Sequence, residues 1–229
     1  IIGLLSFWYG ECAAVGKMFA HKHGLKHFCW ILGQDAKKEN KYPRRSRIPA
    51  GQLIALSDFL RSEFAKNHGI RPDHVIPAGV DTNLFNTSNP KKDIDIMGTG
   101  SLIRLKQYDI FLAVIAEIKK QIPGIRVILV GKGPEKESLQ ILITELGLQS
   151  NVTLTGELPY HQVLEHMQRT RIFLHPSSYE GFSGVCLEAL YAGAHVISFC
   201  KAMDREIEQW HIVKVKEEMI QKTLSILEN

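Results

Sequence analysis

Cysteine is scarce in this chain of 229 residues: Cys12, Cys29, Cys186 and Cys200 are the only four, and no two of them stand at Cys-x-x-Cys spacing. That scarcity excludes a disulfide framework and a thiolate zinc site, and the apolar surroundings of all four point to reduced, packed thiols in a cytoplasmic protein. Long hydrophobic runs are missing as well. The stretch Ile1-Ile2-Gly3-Leu4-Leu5-Ser6-Phe7-Trp8-Tyr9 is too short to span a bilayer and lacks signal-peptide flanks, so it reads as a strand entering a loop in a chain that begins partway through a domain. An excess of one charge sign is also absent. With 28 Lys and Arg against 24 Asp and Glu, the net charge of +4 is far from the footprint of a nucleic-acid binder. Neither an internal repeat nor a low-complexity tract interrupts the pattern.

What is present is a hydrophobic content of 45%, enough for one good core or two modest ones. The first series of elements is a strand near Ile1 to Ser6, a helix from Glu11 to His23 ended by Gly24, and strands at 27–32, 52–57 and 73–77. A helix capped by Ser57 or Asp58 precedes the last of these. The polar, proline-bearing segment 86–92 reads as a linker, giving a partial domain over 1–86 and a complete one over 92–229. The second series is more regular, with strands at 94–98, 126–131, 152–155, 171–175 and 195–199 and a helical pattern between each pair. Such alternation implies an α/β fold: a parallel sheet covered by helices on both faces, with ligands bound beyond the carboxyl ends of its strands. The last segment, 203–229, reads as two amphipathic helical stretches around Trp210.

Three features carry chemistry. First, Glu180 and Glu188 stand eight positions apart in a stretch with no other formal charge between Arg171 and Lys201. The strand Arg171 to His175, ended by Pro176, leads into a loop holding Glu180, and a buried helix from Val185 to Ala192, closed by Gly193, would hold Glu188. A buried carboxylate is costly without hydrogen bonds or opposite charge, and a sugar diol offers two donors to one carboxylate. The amides at the helix start would suit an anion or a sugar hydroxyl. Second, glycines gather after three strands, at Gly98-Thr99-Gly100-Ser101, Gly131-Lys132-Gly133-Pro134 and Gly156-Glu157-Leu158, which suggests close backbone approach to a ligand. Third, residues 37–47 hold six Lys or Arg against one Glu. Two readings of that run stay open, a solvated mobile loop or an electrostatic contact with an anionic acceptor or a membrane surface.

The string Glu180-Gly181-Phe182, then Glu188, Gly193 and the strand His195 to Phe199, resembles the Glu-x7-Glu donor motif of retaining glycosyltransferases with the GT-B fold, family 4 (glycosyl transferases group 1). Gly100 to Gln107 is similar to that family's Gly-Arg-Leu-x-x-x-Lys-Gly, with Ser101 where the family has arginine. The resemblance implies two Rossmann-like domains, the first present only in its latter part, and transfer of a sugar from a UDP- or GDP-sugar to an acceptor hydroxyl with no required metal cofactor. It implies Glu188 on the ribose, Glu180 at the transferred sugar, Lys106 on the diphosphate with Arg104 as a second cation, and Gly100 and Ser101 beside them. The amides of Gly181, Phe182 and Ser183 would meet sugar hydroxyls or phosphate, with Gly131 and Gly133 lining the donor. Val185 would close over the nucleoside, and the backbone at Glu157 and Leu158 would meet the base. Trp8-Tyr9-Gly10-Glu11 and Gly33-Gln34-Asp35 resemble acceptor-side segments, with Trp8 and Asp35 carried forward. The acceptor is a glycan, a lipid or a small molecule. Full-length relatives begin with a glycine-rich loop that this chain does not show. Two rival readings therefore stand beside the enzyme: a nucleotide-sugar epimerase or hydrolase of related fold, and a non-catalytic sugar-nucleotide-binding remnant.

Overall fold

The computed structural model describes residues 1–85, 90–201 and 203–228, so most of the expected linker, 86–89, lies outside the described residues. The chain divides into two compact units: Ile1–Gly79 with Glu180–Ser183 and 203–205, and Val80–Tyr179 with Gly184–Lys201 and the residues from Glu206 onward.

The first unit runs β1 (Gly3–Phe7), α1 (Glu11–His23), β2 (Lys26–Ile31), α2 (Tyr42–Ser46), β3 (Leu53–Ala55), α3 (Asp58–His68) and β4 (His74–Val75). Its four strands pair in parallel in chain order. The core is Tyr9, Ala13, Cys29, Ile31, Ile48, Leu53, Leu60 and Phe64 with small residues between them. Helix α3 starts as its sequence dictates, because the Ser57 hydroxyl accepts from the Leu60 amide at 3.0 Å and satisfies a donor left open at the first turn.

One expectation for this unit is corrected: the basic run is not a plain loop. Within it Tyr42–Ser46 forms α2, which Lys17 ties down by donating to the carbonyls of Ser46 at 2.5 Å and Arg47 at 3.0 Å. The Tyr42 hydroxyl adds a bond to Glu11 at 2.8 Å. Cys12 corrects another, since it is exposed while Cys29 and Cys186 are buried and Cys200 half-buried; all four are free thiols.

The second unit runs β5 (Ile94–Thr99), α4 (Tyr108–Lys119), β6 (Val127–Val130), α5 (Lys136–Glu145), β7 (Val152–Gly156), α6 (Tyr160–Gln168), β8 (Thr170–His175), α7 (Gly184–Tyr191), β9 (His195–Ser198), β10 (Trp210–Ile212) and α8 (Lys216–Leu227). All six strands are parallel, in the order β10-β9-β8-β5-β6-β7. Alternation along β8 sends Ile172 and Leu174 into a core with α4, α5 and α8, and Phe173 into a second core with α6 and α7. The chain travels outward from β5 through β6 and β7, then returns to β8 on the other side of β5. That reversal leaves a crevice outside the carboxyl ends of β5 and β8, the place where doubly wound sheets hold ligands.

The expected pair of helices around Trp210 is also corrected. Trp210–Ile212 is an edge strand pairing with Val196–Ser198, and only Lys216–Leu227 is helical. Three residues of strand are too few to show a period, and what fixes this one is its neighbour: the Trp210 indole donates to the Ser198 hydroxyl at 2.9 Å.

Candidate active site

Loops from three successive strands are laced together at the carboxyl edge of the second sheet. The Gly100 amide donates to the Val130 carbonyl at 3.1 Å, Leu102 to Lys132 at 2.8 Å, Glu135 to Leu102 at 3.0 Å, and Gly131 to Gly156 at 2.9 Å. A Cβ on Gly131, whose φ is +153°, would lie 1.9 Å from the Gly100 carbonyl oxygen; one on Gly133, φ +159°, would lie 2.3 Å from that of Leu102. Close approach was the expectation for these glycines, and the structure gives it a different partner. The backbone they admit is that of the neighbouring loop, which fixes the edge before any ligand arrives.

The turn carrying Lys106 belongs to this lattice. It spans Arg104–Lys106, after the exposed Ser101, and Gln107 follows at φ +50°. Arg104 does not turn inward: its side chain is 95% exposed and its acidic neighbour is Glu135, 3.8 Å away. Lys106 is half-buried, with its Cε carbon 3.7 Å from the position a Cβ on Gly100 would take. The Leu105 carbonyl beside it accepts from the Ser178 amide at 2.9 Å, the Ser178 hydroxyl at 3.1 Å and the Ser177 hydroxyl at 3.2 Å. These bonds join the loop after β5 to the loop after β8, the two loops that flank the crevice.

Helix α7 carries Glu188. The amides of Ala192 and Gly193 fold back to the carbonyls of Glu188 and Leu190 and close the helix at the expected glycine. Its buried side is Cys186 and Ala189, with Val185 half-buried against the second core, so Glu188 sits at the helix margin and is half-buried; the expectation of a buried carboxylate is corrected to that extent. Its Oε1 accepts from the Tyr160 hydroxyl at 2.8 Å. That phenol is pushed up to about 12, first by partial burial, then by this hydrogen bond and the charges of Glu188 and Asp81. Sequence reasoning missed Tyr160. It opens α6 two residues after Leu158, and no charge or motif marks it. Glu157 pairs with Lys132 at 2.5 Å, while Leu158 packs on the second core.

The remaining residues of the motif, Glu180–Ser183, fall with the first unit, so Glu180 and Glu188 belong to different units. Glu180 and Phe182 are half-buried and Ser183 is buried. Gly181 is held by packing: its carbonyl accepts from the Ser57 hydroxyl at 2.5 Å, and a Cβ there would stand 2.8 Å from both the Gly33 Cα and the Leu32 carbonyl oxygen.

Asp35, expected on the acceptor side, is 7% exposed and turned to internal work. Its Oδ1 accepts from the amides of Gly33 at 2.7 Å and Leu32 at 3.1 Å, and its Oδ2 from Tyr9 at 2.9 Å and Leu32 at 3.1 Å. Trp8 is half exposed, with its backbone at φ +70°, a conformation rarely adopted outside glycine, and its amide donating to the Trp30 carbonyl. Among the described residues, no group of three or more His, Cys, Asp and Glu is arranged to hold a metal ion, and no helix is long and apolar enough to cross a membrane.

A doubly wound parallel sheet following a smaller parallel sheet is the architecture of GT-B glycosyltransferases. Residues 80–214 match the model of glycosyl transferases group 1, and this chain belongs to that family. Among curated relatives, the phosphatidylinositol N-acetylglucosaminyltransferase gpi3 subunit of Schizosaccharomyces pombe is 30% identical over 164 residues, covering 69% of this chain and 36% of that protein. The D-inositol 3-phosphate glycosyltransferase of Segniliparus rotundus is 26% identical, with 68% and 40% covered. The chain thus spans well under half the length of these relatives. Among solved structures, TarM superposes at a TM-score of 0.79 with 18% identity, over 99% of this chain and 48% of that one. Anabaena Alr3699/HepE in complex with UDP-glucose superposes at 0.76 with 21% identity, over 98% and 69%. At such identities the likeness concerns the fold.

Proposed function

We propose that this chain is the donor-binding part of a retaining glycosyltransferase of glycan biosynthesis, which moves a sugar from a UDP- or GDP-sugar to the hydroxyl of a glycan, lipid or small-molecule acceptor. The observation that carries the reading is the bond set from Ser177 and Ser178 to the Leu105 carbonyl, which holds the Lys106 turn against the loop after β8 at the switch point. In this reading Lys106 and the loop amides face the departing diphosphate, where negative charge grows in the transition state, and stabilise it by preorganised electrostatics without a required metal. Glu188 receives the ribose and Glu180 positions the transferred sugar. Arg44, Arg45 and Arg47, exposed on and beside α2, suit an anionic acceptor or lipid headgroup on the cytoplasmic face of a membrane. The relatives' printed names agree in kind, since they are N-acetylglucosaminyl-, glycosyl- and mannosyltransferases named for inositol-containing acceptors or for 2-deoxystreptamine.

Titration calorimetry of the intact protein with UDP, GDP and their sugars tests the donor site. Glu188→Ala and Lys106→Ala should each lower affinity by about tenfold or more, the loss of one charge-assisted contact. Unchanged affinity in both would end the assignment. A transfer assay with and without acceptors then separates the transferase from a hydrolase, which needs no acceptor, and from a binding module, which turns nothing over.

A further inference from the structure

Glu188 offers half of itself. Oε1 is engaged by the Tyr160 hydroxyl at 2.8 Å, and among the described residues the side chain has no other hydrogen-bond or ion-pair partner. A carboxylate has about four acceptor sites, so one donor to Oε1 leaves both sites of Oε2 open. Tyr160 is itself fixed. It is the first residue of α6, whose opening turn is made by the Gln162 and Val163 amides donating to the Pro159 carbonyl at 3.0 and 3.2 Å. Behind it, Val163, Leu164 and Met167 of α6 pack in one core with Val185, Cys186 and Ala189 of α7. The hydrogen bond therefore links two helices whose spacing the core already sets, and Tyr160 stands two residues after Leu158, with Pro159 between them.

We infer that Tyr160 is a positioning residue for Glu188: it pins one carboxylate oxygen so that the other meets a vicinal diol, and it thereby sets the preference for a ribonucleoside diphosphate over its 2′-deoxy counterpart. The inference rests on the donor-site reading of Glu188. Without the phenol, the glutamate rotates about its side-chain torsions and must be ordered when the ligand binds, a cost that falls on the diol contact and leaves contacts to base and phosphate alone.

The test is calorimetric titration of the intact protein with UDP, GDP and their 2′-deoxy forms, for the wild type, Tyr160→Phe, Glu188→Gln and the double variant. Phenylalanine keeps the ring and its packing, and thermal denaturation checks that the variant is folded. The expected result is about a five- to tenfold loss of ribonucleotide affinity in Tyr160→Phe, little change for the 2′-deoxy forms, and no further loss when Tyr160→Phe is added to Glu188→Gln. An unchanged ribo-to-deoxy ratio in Tyr160→Phe, with or without a lower melting temperature, overturns the inference while leaving the donor site standing. Failure of the wild type to bind UDP or GDP overturns the donor site and this inference together.

Discussion

Asp35 and Glu188 are both carboxylates that follow parallel strands, yet the two sheets use them in opposite ways. In the first unit, Asp35 is buried and both its oxygens are consumed by the amides of Tyr9, Leu32 and Gly33, so it closes the loop and has nothing left to offer. In the second, Glu188 is half-buried and one oxygen alone is held, by a side chain on another helix. A buried carboxylate gains its stability by ending solvent-free amides, whereas a binding carboxylate must be oriented and left unsatisfied. The difference lies in which donors surround the group, and residue type does not reveal it.

The largest effect expected is on the closed side. Asp35→Ala removes the acceptor of three backbone amides, with the bonds from Tyr9 and Gly33 buried, and should cost about 3 kcal/mol or more of stability in denaturant titration. Glu188→Ala, by contrast, should stay within about 1 kcal/mol of wild type while losing nucleotide affinity; comparable destabilisation by both would erase the distinction. Next comes the lacing of the second sheet's edge. Gly133→Ala sets a Cβ against the Leu102 carbonyl, where backbone and not a flexible side chain must move, so about 2 kcal/mol of stability should be lost together with nucleotide binding. A variant that binds normally would show that the laced loops are dispensable to the site.

The smallest effect falls on both units alike. Burial holds His27, His68, His166, His195 and His211 below the ordinary imidazole value, and nearby cations add to it: Lys17 for His27, Arg169 for His166, and Lys222 for both His195 and His211, which stack on each other. A depressed histidine favours the neutral form when folded. Its contribution is fully present above the unfolded value of about 6.5 and is lost as pH falls through the lower folded value. The melting temperature should therefore drop between pH 7.5 and 5, and His195→Gln with His211→Gln should flatten that slope.

Much of this molecule is legible residue by residue. Helix α1 spans Glu11–His23 and α3 opens after Ser57, both at the expected positions, because caps and periodicity are local. The five regular strands of the second unit fall where alternating elements place them, and a sixth, Trp210–Ile212, was hidden because pairing with β9 creates it. The short helix in the basic run was hidden for a similar reason: Lys17 and Glu11, distant in sequence, hold it. In the candidate site, Glu188 and the strand-end glycines stand out by spacing and Lys106 by its resemblance to the family's motif, while Tyr160 does not, since a lone tyrosine after a proline has no pattern to betray it.

The amino-acid sequence by itself determined the α/β class and the positions of the motif residues, because those follow from local periodicity and fixed offsets along the chain, and the resemblance of the motif pointed to the family. Only the tertiary structure decided that Asp35 is spent on its own backbone, that Gly131 and Gly133 admit a neighbouring loop, and that Tyr160 holds Glu188. Each of those facts is a contact between residues tens of positions apart or a choice among donors, and hydrogen bonds are allotted by proximity in space.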